Sequence, residues 1–165
     1  MKKIIIAVAL CAVVLFGYYV ISPLFRNIKA DEALPVEVTS AISTSSPVVV
    51  SIEGEQKNEA INRGSSPALV VGTLGHPASG TARIVTSERK TYVRYENFKT
   101  INGPDIFVYL SKDLEAKEYI NLGAVRATEG NINYEIPTTV NVAEYPYVLT
   151  WCKQFGVLFN SAKLQ

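Results

Sequence analysis

From Ala68 to the C-terminus the side chains alternate with a period of two residues, and that pattern restricts the region to strands rather than helices. Ala82, Ile84 and Thr86 alternate with Thr81, Arg83 and Val85. Tyr92 and Arg94 stand opposite Val93 and Tyr95 in a run, Thr91 to Glu96, rich in strand formers. Ile106, Val108 and Leu110 alternate with Phe107 and Tyr109, and Ala68 to Thr73 is an apolar run closed by Gly75. Near the end, Tyr147 to Cys152 and Phe155 to Phe159 make two strands around a Lys153-Gln154 connection, or one strand with a bulge. Turn residues punctuate the chain at Gly80, Asn102-Gly103-Pro104, Gly123, Gly130-Asn131 and Pro137. Short strands at spacings of roughly 8 to 12 residues predict an all-β fold, an antiparallel β-sandwich. No long segment of this region has a helical period, although Asp113 to Glu118 has room for one turn.

The first twenty-odd residues follow a different rule. Lys2 and Lys3 precede an uncharged apolar stretch from Ile4 to Ile21. At a rise of about 1.5 Å per residue, roughly 18 to 22 residues match a hydrocarbon core near 30 Å, so this stretch is expected to be a transmembrane helix. Tyr18 and Tyr19 fall where an interfacial belt would place them, and Pro23 ends the helix. A cleavable signal peptide competes with this. Its apolar core would be about 7 to 15 residues long and would end in a small-x-small site. Here the core is longer, Ile28-Lys29-Ala30 is a poor cleavage site, and Leu10 before Cys11 does not suit a lipoprotein box. An uncleaved signal anchor over residues 1–26 is therefore the expectation. Lys2 and Lys3 are opposed by Arg26 and Lys29, so the positive-inside rule leaves orientation open.

Residues 27–66 have the composition of a polar stalk. Asp31-Glu32-Ala33-Leu34-Pro35 and Ser43-Thr44-Ser45-Ser46-Pro47 are linker sequences, and Gly64-Ser65-Ser66-Pro67 is a hinge-like breaker. Only Pro47 to Ile52 is β-branched enough for a short strand. The folded domain is then expected over 67–165, about the size that folds without disulfides or metals. With sixteen basic and fifteen acidic residues and a net charge of +1, the chain offers little counterion release, and no nucleic-acid partner is expected.

Few residues are equipped for chemistry. His76 is the single histidine, so neither a His-pair metal site nor more than one histidine-based nucleophile can be assembled. No hydrolase or transferase motif is present. Asp105, in its Gly-Pro-Asp turn, fits a capping role better than an acid–base one. The chain has two cysteines, Cys11 and Cys152. Cys11 lies in the apolar stretch and cannot meet Cys152 within the domain, which leaves Cys152 a lone thiol: either a reactive group or a small buried hydrophobe. Alternation puts Val148, Thr150 and Cys152 on one face and Tyr147, Leu149 and Trp151 on the other. If Trp151 enters the core, Cys152 points away from it and is reachable, unless both faces are covered. A thiolate binds haem iron or copper, and imidazole binds transition metals. Cys152 and His76 on different strands could hold a haem edgewise between sheets; otherwise His76 is a loop residue before Pro77 with no special role.

Several blocks resemble the DM-thirteen domain, a family named for a proposed part in electron transfer. They are Gly75-His76-Pro77-Ala78-Ser79-Gly80-Thr81-Ala82, Glu96-Asn97-Phe98, and Asn102-Gly103-Pro104-Asp105 running on to Val108-Tyr109-Leu110-Ser111. Leu122-Gly123, Gly130-Asn131, Tyr134-Glu135-Ile136-Pro137 and Trp151-Cys152-Lys153-Gln154-Phe155 continue the series, in order, from about Leu69 to Leu164. Asn160 stands where a glycine is expected. The anchor, followed by Ser22-Pro23-Leu24-Phe25 and Asp31-Glu32-Ala33-Leu34-Pro35, is similar to the front end of single-domain microbial members. The resemblance implies an extracytoplasmic β-sandwich, in the periplasm or at the cell surface. It also implies a role for Cys152 as a naked thiol or as ligand to a prosthetic group such as haem.

Two functions follow as expectations. In the first, the domain is a redox module held at the membrane, with a partner protein that exchanges electrons at Cys152. A reactive thiolate there would need a lowered pKa, to which neighbouring Lys153 would contribute. In the second, it is a non-catalytic binding or structural sandwich in which Cys152 is filler.

Overall fold

A computed structural model describes residues 2–21, 27–35, 63–87 and 90–164. In chain order these form α1 (Lys2–Ile21), β1 (Lys29–Asp31), β2 (Arg63–Gly64), β3 (Ala68–Leu69), β4 (Val71–Gly72), β5 (Ala78–Ser87) and β6 (Lys90–Thr100). The second half holds β7 (Ile106–Ser111), β8 (Tyr119–Ala124), β9 (Glu129–Ile136), β10 (Tyr147–Cys152) and β11 (Val157–Lys163). Asp113 to Glu118 makes bends and a turn, not helix. The short strand expected over Pro47 to Ile52 lies outside the described residues.

The strands form two sheets. One runs β1-β9-β6-β5-β2, with β3 also on β5; the other runs β4-β11-β10-β7-β8. Every pairing is antiparallel except β1 with β9. The inward side chains of the two sheets meet in one core, where Ala82, Val93, Tyr95 and Ile132 of the first pack with Val108, Leu110 and Val148 of the second. Burying a side chain such as Leu110 or Ile132 completely stabilises the fold by about 1.5–3 kcal/mol each. This is the expected β-sandwich.

Strand β6 shows how the pattern produces the core. Val93 and Tyr95 are buried, then the register slips between Tyr95 and Phe98, opposite a slip between Ser79 and Thr81 in β5. Asn97 takes the left-handed conformation (φ 49°) inside that bulge, and Phe98 and Thr100 return to the buried face. The bulge thus resets the alternation and swings the end of β6 toward the second sheet. Asn160, in strand β11 rather than in a turn, answers this from the other side: its amide nitrogen donates to Thr100 Oγ1 at 3.0 Å and ties the sheets together.

Part of the sequence assigned by composition to the stalk belongs to the sheet. Lys29–Asp31 pairs with Glu129–Asn131, and the amide of Glu32 donates to Asn131 O at 2.9 Å. Beyond it, Arg94 of β6 projects outward yet is only 5 % exposed, because the chain at 32–33 covers it. Its Nη1 donates to Glu32 O (3.0 Å), Ala33 O (3.2 Å) and Asn133 Oδ1 (2.9 Å), and its Nε to Glu96 Oε1 (3.0 Å). Glu32 also pairs with Arg126 at 3.1 Å. Gly64 and Ser65, read from composition as a hinge, pair with the edge of β5, where Ser65 Oγ accepts the amide of Ile84 at 3.0 Å. Composition missed these segments because they are held by polar groups, not by apolar periodicity.

Helix α1 covers 20 residues, about 30 Å at the α-helical rise. Its described side chains are those of Ile4 and residues 10–18, exposed except at Gly17. Among the described residues no helix is long and apolar enough to cross a membrane.

Candidate functional site

Cys152 is the last residue of β10, between Ile106 of β7 and Val157 of β11. It faces the interior, 1 % exposed, in a small cluster with Ile106 and Phe159 flanked by Ile101 and Val125. Of the outcomes that alternation left open, Cys152 is covered rather than reachable, and Leu149 on the opposite face is buried as well. Trp151 is half-buried opposite Phe107, whereas Val148, Thr150 and Cys152 are all buried on the inner face. The tryptophan was the misleading marker, since a large ring is served well by the flank of a sheet with its N–H near water.

Three turns close over this cluster. In the first, the 73–76 turn, the His76 amide donates to Thr73 O at 2.9 Å. The Thr73 hydroxyl lies 2.7 Å from Leu158 O and 3.1 Å from His76 Nδ1. A hydroxyl has one proton, and the shorter contact to a carbonyl claims it. The imidazole stacks on Phe159, centroids 4.1 Å apart. In the second, the 101–105 turn, a Cβ on Gly103 would stand 2.8 Å from Ile106 Cγ2 and 2.9 Å from Phe159 Cζ, so only glycine lets this backbone lie on the cluster. In the third, the 153–156 turn, the Lys153 amide donates to Asp105 O at 2.9 Å, which locks the second turn to the third.

Phe159 is therefore the hub, and sequence reasoning did not single it out. One face meets His76, its edge meets Gly103, and it packs in the cluster that holds Cys152. The structure brings Cys152 and His76 to the same ring. The signal available in the sequence was the apolar Phe155–Phe159 run directly after Trp151-Cys152; the bulge between β10 and β11 hid which of its residues turn inward.

The Lys153 ammonium lies over the Phe107 ring, 5.7 Å from the centroid, on the outer side of the sheet. On that same side Tyr109 stacks on Tyr119 at 4.1 Å. Burial, then Tyr119, then the negative charge of Asp105 push the Tyr109 hydroxyl up to about 12.

The packing does not fit a haem between Cys152 and His76, because Phe159 fills that space and Gly103 and Ile106 close it. Among the described residues no group of three His, Cys, Asp or Glu side chains could hold a metal ion. The arrangement retains a buried thiol in contact range of aromatic and aliphatic groups, beneath turns that reach the surface.

Compared with known proteins, residues 71–164 match the family described as Electron transfer DM13. No curated protein and no solved structure matches the chain. The family match spans more than half of the sequence, from β4 to the residue after β11, and takes in His76, the 101–105 turn and Cys152. This chain belongs to the Electron transfer DM13 family.

Proposed function

We propose that this is a single-pass membrane protein whose C-terminal domain lies outside the cytoplasm, in the periplasm or at the cell surface. There it exchanges electrons with a partner protein through the naked thiol of Cys152. Membership in an electron-transfer family supports the redox role. The observation that carries the choice of centre is the convergence of the 73–76, 101–105 and 153–156 turns on the Cys152–Phe159 cluster. The anchor is supported by the uncharged sequence from Ile4 to Ile21 within the 20-residue α1. The described part of that helix does not itself make a span.

The step that suits a lone thiol is exchange with a disulfide of the partner. Cys152 gives its proton to solvent, its sulfur bonds to one partner sulfur, and the partner's S–S bond breaks. The second partner sulfur leaves as a thiolate with the electron pair. Cys152 is oxidised to a mixed disulfide and the leaving sulfur is reduced. Because the thiol is buried, the 153–156 turn must open first, which a hairpin end exposed on every residue from Lys153 to Val157 can do.

The burial of Cys152 equally suits the second function, a non-catalytic binding or structural domain with Cys152 as filler. Cys152→Ser separates the two. In a Cys11→Ser background, a parent that forms a mixed disulfide with oxidised glutathione under native conditions, lost in a Cys152→Ser variant that melts close to it, supports the redox centre. A variant that fails to fold supports filler.

A further inference from the structure

The cluster that holds Cys152 sits at the end of the sandwich that receives the chain from α1. The registers place Ala78 opposite Thr100, Lys29 opposite Glu129 and Cys152 opposite Ile106, so β5, β7 and β9 begin at this end and β6 and β10 finish there. Asn27 lines a groove of about 480 Å³ at the same end, with Pro77, Ser79, Lys99 and Ile101. Ile21 ends α1, and a chain extends at most about 3.5 Å per residue, which keeps Asn27 within about 21 Å of the helix end.

The turns at this end carry large apolar side chains that no described residue covers. Leu74, at the tip of the 73–76 turn, is 100 % exposed, and Phe155, at the tip of the 153–156 turn, is 66 % exposed. The 73–76 turn packs against Phe159 through His76, and the 153–156 turn joins the two strands that carry Cys152 and Phe159. Lys153 stands two residues before Phe155, and Lys99, also exposed, lines the groove at this end opposite Glu129. Single exposed apolar residues are ordinary, but two on turn tips at one end that also carries lysines have the composition of a surface that enters a lipid interface.

We propose that this end of the domain rests on the bilayer that holds α1. Leu74 and Phe155 enter the headgroup layer and Lys99 and Lys153 face anionic lipid, so that the Cys152 cluster opens toward the membrane. The inference rests on the proposed anchor, because only a short tether makes this the end that meets lipid. The outer end, with the 112–118 turn between β7 and β8, then faces away from the membrane.

The test uses the full chain with Cys11→Ser, carrying one fluorescent label at Leu74→Cys or at Glu115→Cys, in vesicles of phosphatidylcholine and phosphatidylglycerol. A parent with neither new cysteine corrects for any label on Cys152. Headgroup-nitroxide lipid is expected to quench the label at 74 at least twofold more than the label at 115, and Phe155→Asp is expected to weaken that difference. Chain that floats with the vesicles but shows equal quenching at 74 and 115 keeps the anchor and overturns this orientation. Chain that does not float overturns the anchor and the orientation together.

Discussion

The imidazole of His76 lies against the ring of Phe159 with the planes only 29° apart, and the same ring packs in the cluster that buries Cys152. One aromatic side chain thus separates the two most reactive groups of the domain and also links the turns that cover them.

Replacing that ring tests its role as hub. Phe159→Ala is expected to cost about 3–5 kcal/mol in denaturant unfolding, as large-to-small changes in packed cores do. It is also expected to raise the rate at which Cys152 reacts with an uncharged disulfide. Phe159→Leu, which keeps much of the volume, is expected to lose less stability and to accelerate the thiol less. Unchanged thiol reactivity in Phe159→Ala would remove the ring as the cover of Cys152.

Arg94 is a buried cation whose partners come from β6, β9 and the segment after β1. Arg94→Met is expected to destabilise by about 2 kcal/mol, since it takes the Arg94 donor from Glu32 O and Asn133 Oδ1, while Glu96 keeps Arg83 and Ala33 O keeps Asn133 Nδ2. Lysine cannot reproduce the planar fork, so Arg94→Lys is expected to rescue little. Midpoints from urea unfolding decide this, and a loss below about 0.5 kcal/mol, the ordinary surface effect, would contradict it.

Gly130 (φ 118°) pairs with Ala30, and a Cβ there would collide with the Ala30 carbonyl. Gly130→Ala is therefore expected to detach β1. Hydrogen exchange would show it as lost protection at the Glu32 amide, which donates to Asn131 O. Retained protection at that amide would mean that the strand tolerates the substitution.

Stability is expected to fall at both ends of the pH range. Burial raises the pKa of Glu96, but hydrogen bonds and charge from Arg83 and Arg94 outweigh it and hold the carboxyl below its usual 4.5. A depressed folded-state value gives stability that is present above the unfolded pKa and lost as pH falls through the folded one. Glu96→Gln should flatten the acid limb below about pH 4.5. Tyr109 runs the other way: with its hydroxyl pushed up to about 12 from 10.0, its contribution is whole below pH 10 and lost as pH rises toward 12. Tyr109→Phe should flatten the alkaline limb, and an identical pH profile in either variant would remove that residue as a source.

Much of the fold was legible because strand-forming residues with a period of two fill β5, β6, β7 and β10 between turn residues, although β7 and β10 bury Tyr109 and Leu149 on their second faces as well. Strand β9 was equally readable in principle: Ile132, Tyr134 and Ile136 are buried, with Asn131, Asn133 and Glu135 between them. Its asparagines resemble a turn, yet they face outward to bind the 31–33 segment; Asn133 Nδ2 donates to Ala33 O at 2.9 Å. Strand β1, Lys-Ala-Asp, carries no apolar period at all and is found only through its partners. At the site, His76 and Cys152 were visible as rare residue types. The direction of Cys152 was not, because Trp151 was a poor guide to the buried face, and Phe159 was hidden by a bulge.

The most direct test of the central claim is the rate at which oxidised glutathione forms a mixed disulfide with Cys152 in the full chain carrying Cys11→Ser, compared with the global unfolding rate under the same native conditions. Exchange faster than unfolding, at a rate that follows local opening of the 153–156 turn and is reversed by a dithiol, is the predicted result. Modification no faster than global unfolding would contradict a redox thiol and make Cys152 part of the core.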